Sequence, residues 1–248
     1  MKIIISPAKN MSQENISLKY DSLPLFLKES EEILSVLKEK TVSELQNIWK
    51  CSDKLADENF ERIKSMNLKD NLTPAILTYE GIVFQHIVPA LSYDKNIKYL
   101  QENLRILSGL YGVLKALDGI TLYRLEMQSK LKVNEFKNLY DFWGIKLYKE
   151  ISDESKTIIN LASKEYSKCI EKFLSKDDKF ITCSFVEISG EKLVVKGTYS
   201  KMARGEMVRF MAENNIQSPE ELKKFNSLGY VFRENLSSET EYVFERIF

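Results

Sequence analysis

Three of the chain's nine glycines, Gly109, Gly112 and Gly119, fall within eleven positions, and no other feature narrows the possible folds as much. The segment around them, residues 103–130, reads NLRILSGLYGVLKALDGITLYRLEMQSK. Ile106 and Leu107 ahead of Ser108-Gly109 suit a short buried strand, and from Leu110 the chain resumes with helix-forming residues. Glycine at such a junction permits either a tight turn between two core elements or close approach of backbone to a ligand. In the second case, amides of a turn at Gly109 or Gly112 would bind phosphate or carboxylate oxygens. Arg105, Lys115, Arg124 and Lys130 outnumber Asp118 and Glu126 across the segment, a charge that suits an anion.

The rest of the chain bounds this reading. At 248 residues it is long enough to bury about three quarters of its extended-chain surface. A composition of 44% hydrophobic and 29% charged residues is that of a globular protein. Thirty-six basic side chains balance thirty-six acidic ones, so only local clustering can indicate a partner. Three widely spaced cysteines, Cys51, Cys169 and Cys183, fit reduced thiols in a cytoplasm better than a disulfide framework, and they lack metal-site spacing. The N-terminal MKIIISPAK is too short in its apolar run for a signal peptide or a membrane span. The expectation is a cytoplasmic protein with no membrane contact, no metal and no cofactor. A single histidine, His86, leaves no second one for a ferritin-type di-iron site, and no nucleophile elbow accompanies it.

Taken in order, the isoleucines of residues 2–6 predict a buried strand that Pro7 stops, with Lys9 in the following loop as an anion-binding ammonium or a solvated one. Residues 24–65 are helical in pattern, with a capping box at Thr41 to Glu44. Residues 75–79 read as a second strand and Gly81 as a turn or a close approach. Residues 134–151 are helical, with Gly144 marking close packing or a break. Residues 157–162 read as a strand, so Asn160, Ser163 and Tyr166 cluster at a strand-to-helix turn, a favoured ligand position in an α/β layer. Residues 180–186 and 192–199 predict a hairpin through Ser189-Gly190. Residues 192–211 then hold five basic side chains against Glu206 alone. Lys201 and Arg204 stand one helical turn apart, as a solvated face or an anion site. Ser218-Pro219 starts a helix, and two apolar runs near 230 and 243 read as closing strands. The whole is an α+β fold: one mixed-sheet domain over residues 1–248 with surrounding helices and a small helical subdomain near residues 20–70.

With these stretches identified, the chain resembles the YaaA peroxide stress protein family along its length. The resemblance rests on IISPAK (4–9), SDKLA (52–56), LRILSGLYGVLKALD (104–118), YRLEM (123–127), LYDFWG (139–144), INLASKEY (159–166), KMARGEMVRF (201–210) and FNSLGYVF (225–232). It departs from the family pattern at Gly81-Ile82, where a Gly-Asp pair is usual, and at Ala116-Leu117 and Thr121-Leu122, where prolines are common. The resemblance implies a cytoplasmic protein of the hydrogen peroxide stress response that limits free-iron-driven damage. It also implies sequence-independent DNA binding through a positively charged cleft, and a helix-hairpin-helix-like element that would fall at residues 107–114.

Two functions follow. In the first, Lys9, Arg105, Ser108, Gly109, Tyr111, Gly112, Arg124, Asn160, Ser163, Lys201 and Arg204 hold the backbone of DNA. In the second, the same cleft is that of an enzyme acting on a nucleotide or other phosphorylated compound. Arginines would clamp the anion there, with Glu126 as general acid or base unless Arg124 and Glu126 form a purely internal ion pair.

Overall fold

In the computed structural model, residues 1–14, 18–190 and 192–247 are described. The triple isoleucine forms β1 (Lys2–Ile5), and Ile3, Ile4 and Ile5 have no exposed surface. Apolar side chains buried on both faces are the signature of a central strand in a parallel sheet. Accordingly, β1 lies between two parallel neighbours, β2 (Leu104–Ser108) and the later β4 (Thr157–Asn160), with Ile4 in register with Arg105 and Asn160. Beyond β2 the sheet ends in the antiparallel β3 (Gly112–Leu114). Beyond β4 come β5 (Lys179–Ser189) and β8 (Glu241–Arg246), both parallel, and then β7 (Tyr230–Phe232), antiparallel to β8. A short β6 (Lys192–Val194) pairs only with the far end of β5, as the Ser189-Gly190 hairpin signal predicts.

The expected fold class holds: a mixed, mostly parallel sheet surrounded by helices. Helices α1 (Leu27–Lys38), α2 (Val42–Trp49) and α3 (Asp53–Ser65) fill the region expected to be helical. The Thr41 to Glu44 capping box is formed in both directions. Their buried faces, with Ile33, Leu37, Leu45 and Trp49, belong to the same contiguous core as the sheet. Helix α4 (Ile82–Ile87) and α5 (Asp94–Asn103) lead into β2. Residues 134–151 divide into α6 (Leu139–Trp143) and α7 (Lys146–Ile151) at Gly144, whose φ of +49° a helix cannot contain. Helix α8 (Lys164–Glu171) follows β4, and α9 (Gly197–Glu213) follows β6.

Three local expectations change. The second hairpin strand, expected over residues 192–199, stops at Val194, and residues 197–199 open α9 instead. Residues 107–114, where the resemblance implies a helix-hairpin-helix-like element, are a β-hairpin in which Leu107 pairs with Val113 and Ser108 with Gly112. Buried β-branched and leucine side chains on both sides of the turn favour sheet pairing over two helices. The run at 75–79 is a helical turn, Ala75–Thr78, rather than a strand. Pro74 sets its start, and the Thr78 hydroxyl closes it by donating to the Pro74 carbonyl at 2.8 Å. Only Tyr79–Glu80 is extended, pairing with Asn10–Met11. No helix among the described residues is long and apolar enough to cross a membrane.

Candidate functional site

The order of the sheet decides where a ligand can go. From β1 the chain reaches β2 on one side and β4 on the other, both parallel, so the connections leaving their carboxyl ends diverge and open a crevice. A cavity of about 510 Å³ lies there. Its walls are the loop after β1 (Ser6, Pro7, Ala8, Lys9, Asn10), the start of α4 with Glu80 and Gly81, and residues 123–126. The turn into α8 (Leu161, Ser163, Glu165, Tyr166) and Lys201 with Arg204 of α9 complete it.

Each wall is fixed by local chemistry. The Ser6 hydroxyl accepts the Ser163 amide at 2.8 Å and donates to the Ser163 hydroxyl at 3.1 Å, tying the ends of β1 and β4 together. A Cβ on Gly81 would stand 3.0 Å from that of Ala8, so glycine lets the two loops approach. Gly205 does the same for α9, since a Cβ there would collide with the Val83 carbonyl and with His86. His86 itself is paired with Glu206 at 2.7 Å, across the same helix contact, and is outside the cavity lining. Helix α9 begins at Gly197, so Lys201 and Arg204 reach the cavity from its second turn, by side chain rather than by the helix end.

Charge in the cavity is mixed and unevenly paired. Glu126 Oε1 lies 3.0 Å from Lys9 Nζ and 3.7 Å from an Arg124 guanidinium nitrogen, yet it is buried with no aligned hydrogen bond. Arg124 Nε and Arg204 Nε are also buried without a hydrogen-bond partner. Arg204 forms no ion pair among the described residues, and burial holds its pKa below the usual arginine value. Glu165 has its pKa raised, first by burial and also by the nearby Glu126, against a hydrogen bond from the Gln128 amide at 3.2 Å. Beneath this, the Tyr123 hydroxyl bridges Ser108 at 2.6 Å and Tyr79 at 2.7 Å, and burial pushes its pKa to about 12.

Of the residues expected at a site, Lys9, Arg124, Glu126, Ser163, Lys201 and Arg204 meet in this one cavity. The others lie elsewhere. Arg105, 5% exposed, pairs with Glu150 at 3.7 Å and feels Asp118 and Asp153, near the amino end of its strand and away from the cavity, although its buried Nε likewise makes no hydrogen bond. Ser108 accepts the Tyr111 amide at 2.9 Å, and the Tyr111 ring is buried with its hydroxyl accepting the Thr121 amide at 3.3 Å. Gly109 and Gly112 serve packing: a Cβ on Gly109 would come 2.5 Å from the Leu125 carbonyl, and Gly112 has φ +72° with Trp143 and Leu147 against it. The Gly109 carbonyl accepts the Trp143 indole N–H at 3.0 Å. Asn160 is spent shaping the turn, giving Nδ2–H to Thr182 at 3.1 Å and accepting the Ala162 amide at 2.9 Å. Sequence reasoning did not select Ser6, Glu80 or Glu165. Ser6 and Glu165 sit inside IISPAK and INLASKEY, so position at a strand's carboxyl end was the available signal.

Among the described residues no three His, Cys, Asp or Glu side chains are placed to hold a metal ion. Cys169 and Cys183 are buried, which pushes both thiols up to about 12 and keeps them protonated. These features define an α/β protein with a polar, arginine-bearing crevice at the carboxyl edge of its central strand. The sequence profile of the peroxide stress protein YaaA matches residues 1–236, and the chain belongs to that family. It is 56% identical to a UPF0246 protein of Agathobacter rectalis over 99% of both chains. It is also 52% identical to one from Lachnoclostridium phytofermentans, covering 98% of this chain and 96% of that one. A third, from Pediococcus pentosaceus, is 50% identical over 98% and 97%.

Proposed function

We propose that this peroxide stress protein works in the cytoplasm by binding a small phosphorylated compound, a nucleotide among them, in the crevice at the end of β1. The observation that carries this reading is the pair of arginines, Arg124 and Arg204, each presenting a buried and unpartnered Nε toward a cavity of about 510 Å³. A guanidinium out of water with donors unused is costly, and an incoming anion offsets that cost. A cavity of this size suits a small ligand. Glu126, held between Lys9 and Arg124, is the candidate general acid or base, and limitation of iron-driven damage would follow from what happens to this ligand.

Sequence-independent DNA binding is the second reading. It draws on Lys9, whose side chain is 63% exposed, and on the exposed Lys201, which together place two cations where a phosphate backbone could pass. The buried glycine hairpin lends it no support, because the Tyr111 amide is already given to Ser108. Thermal shift with a panel of mononucleotides, alongside fluorescence anisotropy of a labelled duplex over a salt series, separates the two. Stabilisation by a mononucleotide with no duplex binding is the expected result. Duplex binding with a steep negative log–log salt slope, and no response to any mononucleotide, would overturn it in favour of DNA.

A further inference from the structure

The cavity contains two opposite charges, Arg204 and Glu165, neither of which forms an ion pair with a described residue. Arg204 has its Nε buried and unpartnered, and among the described residues the one group that acts on it is the Cys183 thiol. Glu165 stands on another wall, at the start of α8. Its Oε1 accepts the Gln128 amide at 3.2 Å, which fixes the carboxyl in place, while Oε2 accepts no hydrogen bond from any described residue. Lys9, near enough to act on it, is committed to Glu126 at 3.0 Å. Nor do Arg204 and Glu165 satisfy each other, since the charges that act on Glu165 are Glu126, Lys9 and Lys168.

An anchored acceptor and a buried donor, both unspent and separated across one cavity, are complementary to a molecule that carries both kinds of group. A carboxylate is acceptor-only and binds N–H or ammonium donors, whereas a guanidinium is donor-only and binds phosphate or carboxylate oxygens. We infer that the cavity is a divided site for one bifunctional small molecule, its anionic group seated on Arg204 with Lys201 and an N–H or ammonium donor of the same molecule held by Glu165. This rests on the anion binding proposed above and adds the second half of the ligand. The donor is either a ring N–H, as in a nucleotide, or an aliphatic ammonium, as in a phosphorylated amine.

Matched probes test it by isothermal titration calorimetry: GMP against ribose 5-phosphate, and O-phosphoethanolamine against ethyl phosphate. At least one donor-bearing probe is expected to bind about tenfold tighter than its donor-free match, and the pair affected identifies the donor type. In Glu165→Ala that preference should fall to about one. If Glu165→Ala does not fold by circular dichroism, Glu165→Gln serves for the ammonium pair, where loss of charge alone should remove the preference. Equal binding of both members of each pair, or a preference that survives loss of the Glu165 carboxylate, overturns the divided site while leaving anion binding in place. If none of the four probes binds, or Arg204→Met binds them as the wild type does, the anion seat is wrong and the divided site falls with it.

Discussion

The glycine hairpin of β2 and β3 and the crevice at the end of β1 both attract attention by composition, but they treat their polar groups in opposite ways. At the hairpin's turn, from Ser108 to Gly112, the conspicuous groups are consumed. Ser108 joins the Tyr111 amide to Tyr123, the Gly109 carbonyl takes the Trp143 indole, and the glycines admit the Leu125 carbonyl and the Trp143 ring. In the crevice, Nε of Arg124, Nε of Arg204 and Oε1 of Glu126 are buried with hydrogen-bonding capacity unspent. Structural polar groups are satisfied from within, and groups left unsatisfied at a cavity wall are the ones available to a ligand. Density of glycine and basic residues does not separate these two cases. Accounting for each hydrogen bond does.

If that contrast is right, changes in the hairpin should damage stability and changes in the crevice should spare it. The largest effect is expected at Gly109→Ala, where the new methyl meets backbone 2.5 Å away and cannot be relieved by a rotamer change; a loss of about 3 kcal/mol, read by urea denaturation, is expected. A loss under about 0.5 kcal/mol would break the comparison from the hairpin side. Next, Ser108→Ala removes the hydroxyl that takes the Tyr111 amide and pairs with the Tyr123 hydroxyl, so about 1–3 kcal/mol should disappear from the same measurement. Arg204→Met, in contrast, replaces a buried unpaired charge by an apolar side chain and should leave the protein unchanged or more stable by about 1 kcal/mol, with anion-induced stabilisation abolished.

The smallest effect concerns pH. Burial raises the Glu165 pKa in the folded protein, so folding favours its protonated form. That contribution is fully present below the unfolded carboxyl pKa and is lost as pH rises through the raised folded value. Glu165→Gln should therefore be more stable than wild type at neutral pH, with the gap closing as the solution is acidified into the carboxylate range. A gap that widens in acid would mean that Glu165 is stabilised as the anion by a partner not recognised above.

Much of the fold was legible because burial writes a simple pattern. Three consecutive isoleucines announced the central strand, Gly144 announced the break between α6 and α7, and Thr41 with Glu44 announced a helix start. The helical turn at Ala75–Thr78 was not legible, since a short apolar run has no periodicity to separate helix from strand. The candidate site was legible in part for a related reason. Lys9, Ser163 and Arg204 follow ends of elements that sequence pattern can locate, and the parallel order of β2, β1 and β4 then brings them together. Arg105 and Arg124 look alike in the sequence. Only the register of β2, which sends Arg105 toward Glu150, separates a core arginine from a cavity arginine.

The central claim is that anions bind in the crevice and not at the glycine hairpin. Crystals soaked in tungstate, a heavy tetrahedral oxyanion, test it by anomalous diffraction. An anomalous peak within hydrogen-bonding reach of the Arg204 guanidinium, absent from Arg204→Met crystals, is the predicted result. A peak at the turn between Ser108 and Gly112, with the crevice empty, would contradict it.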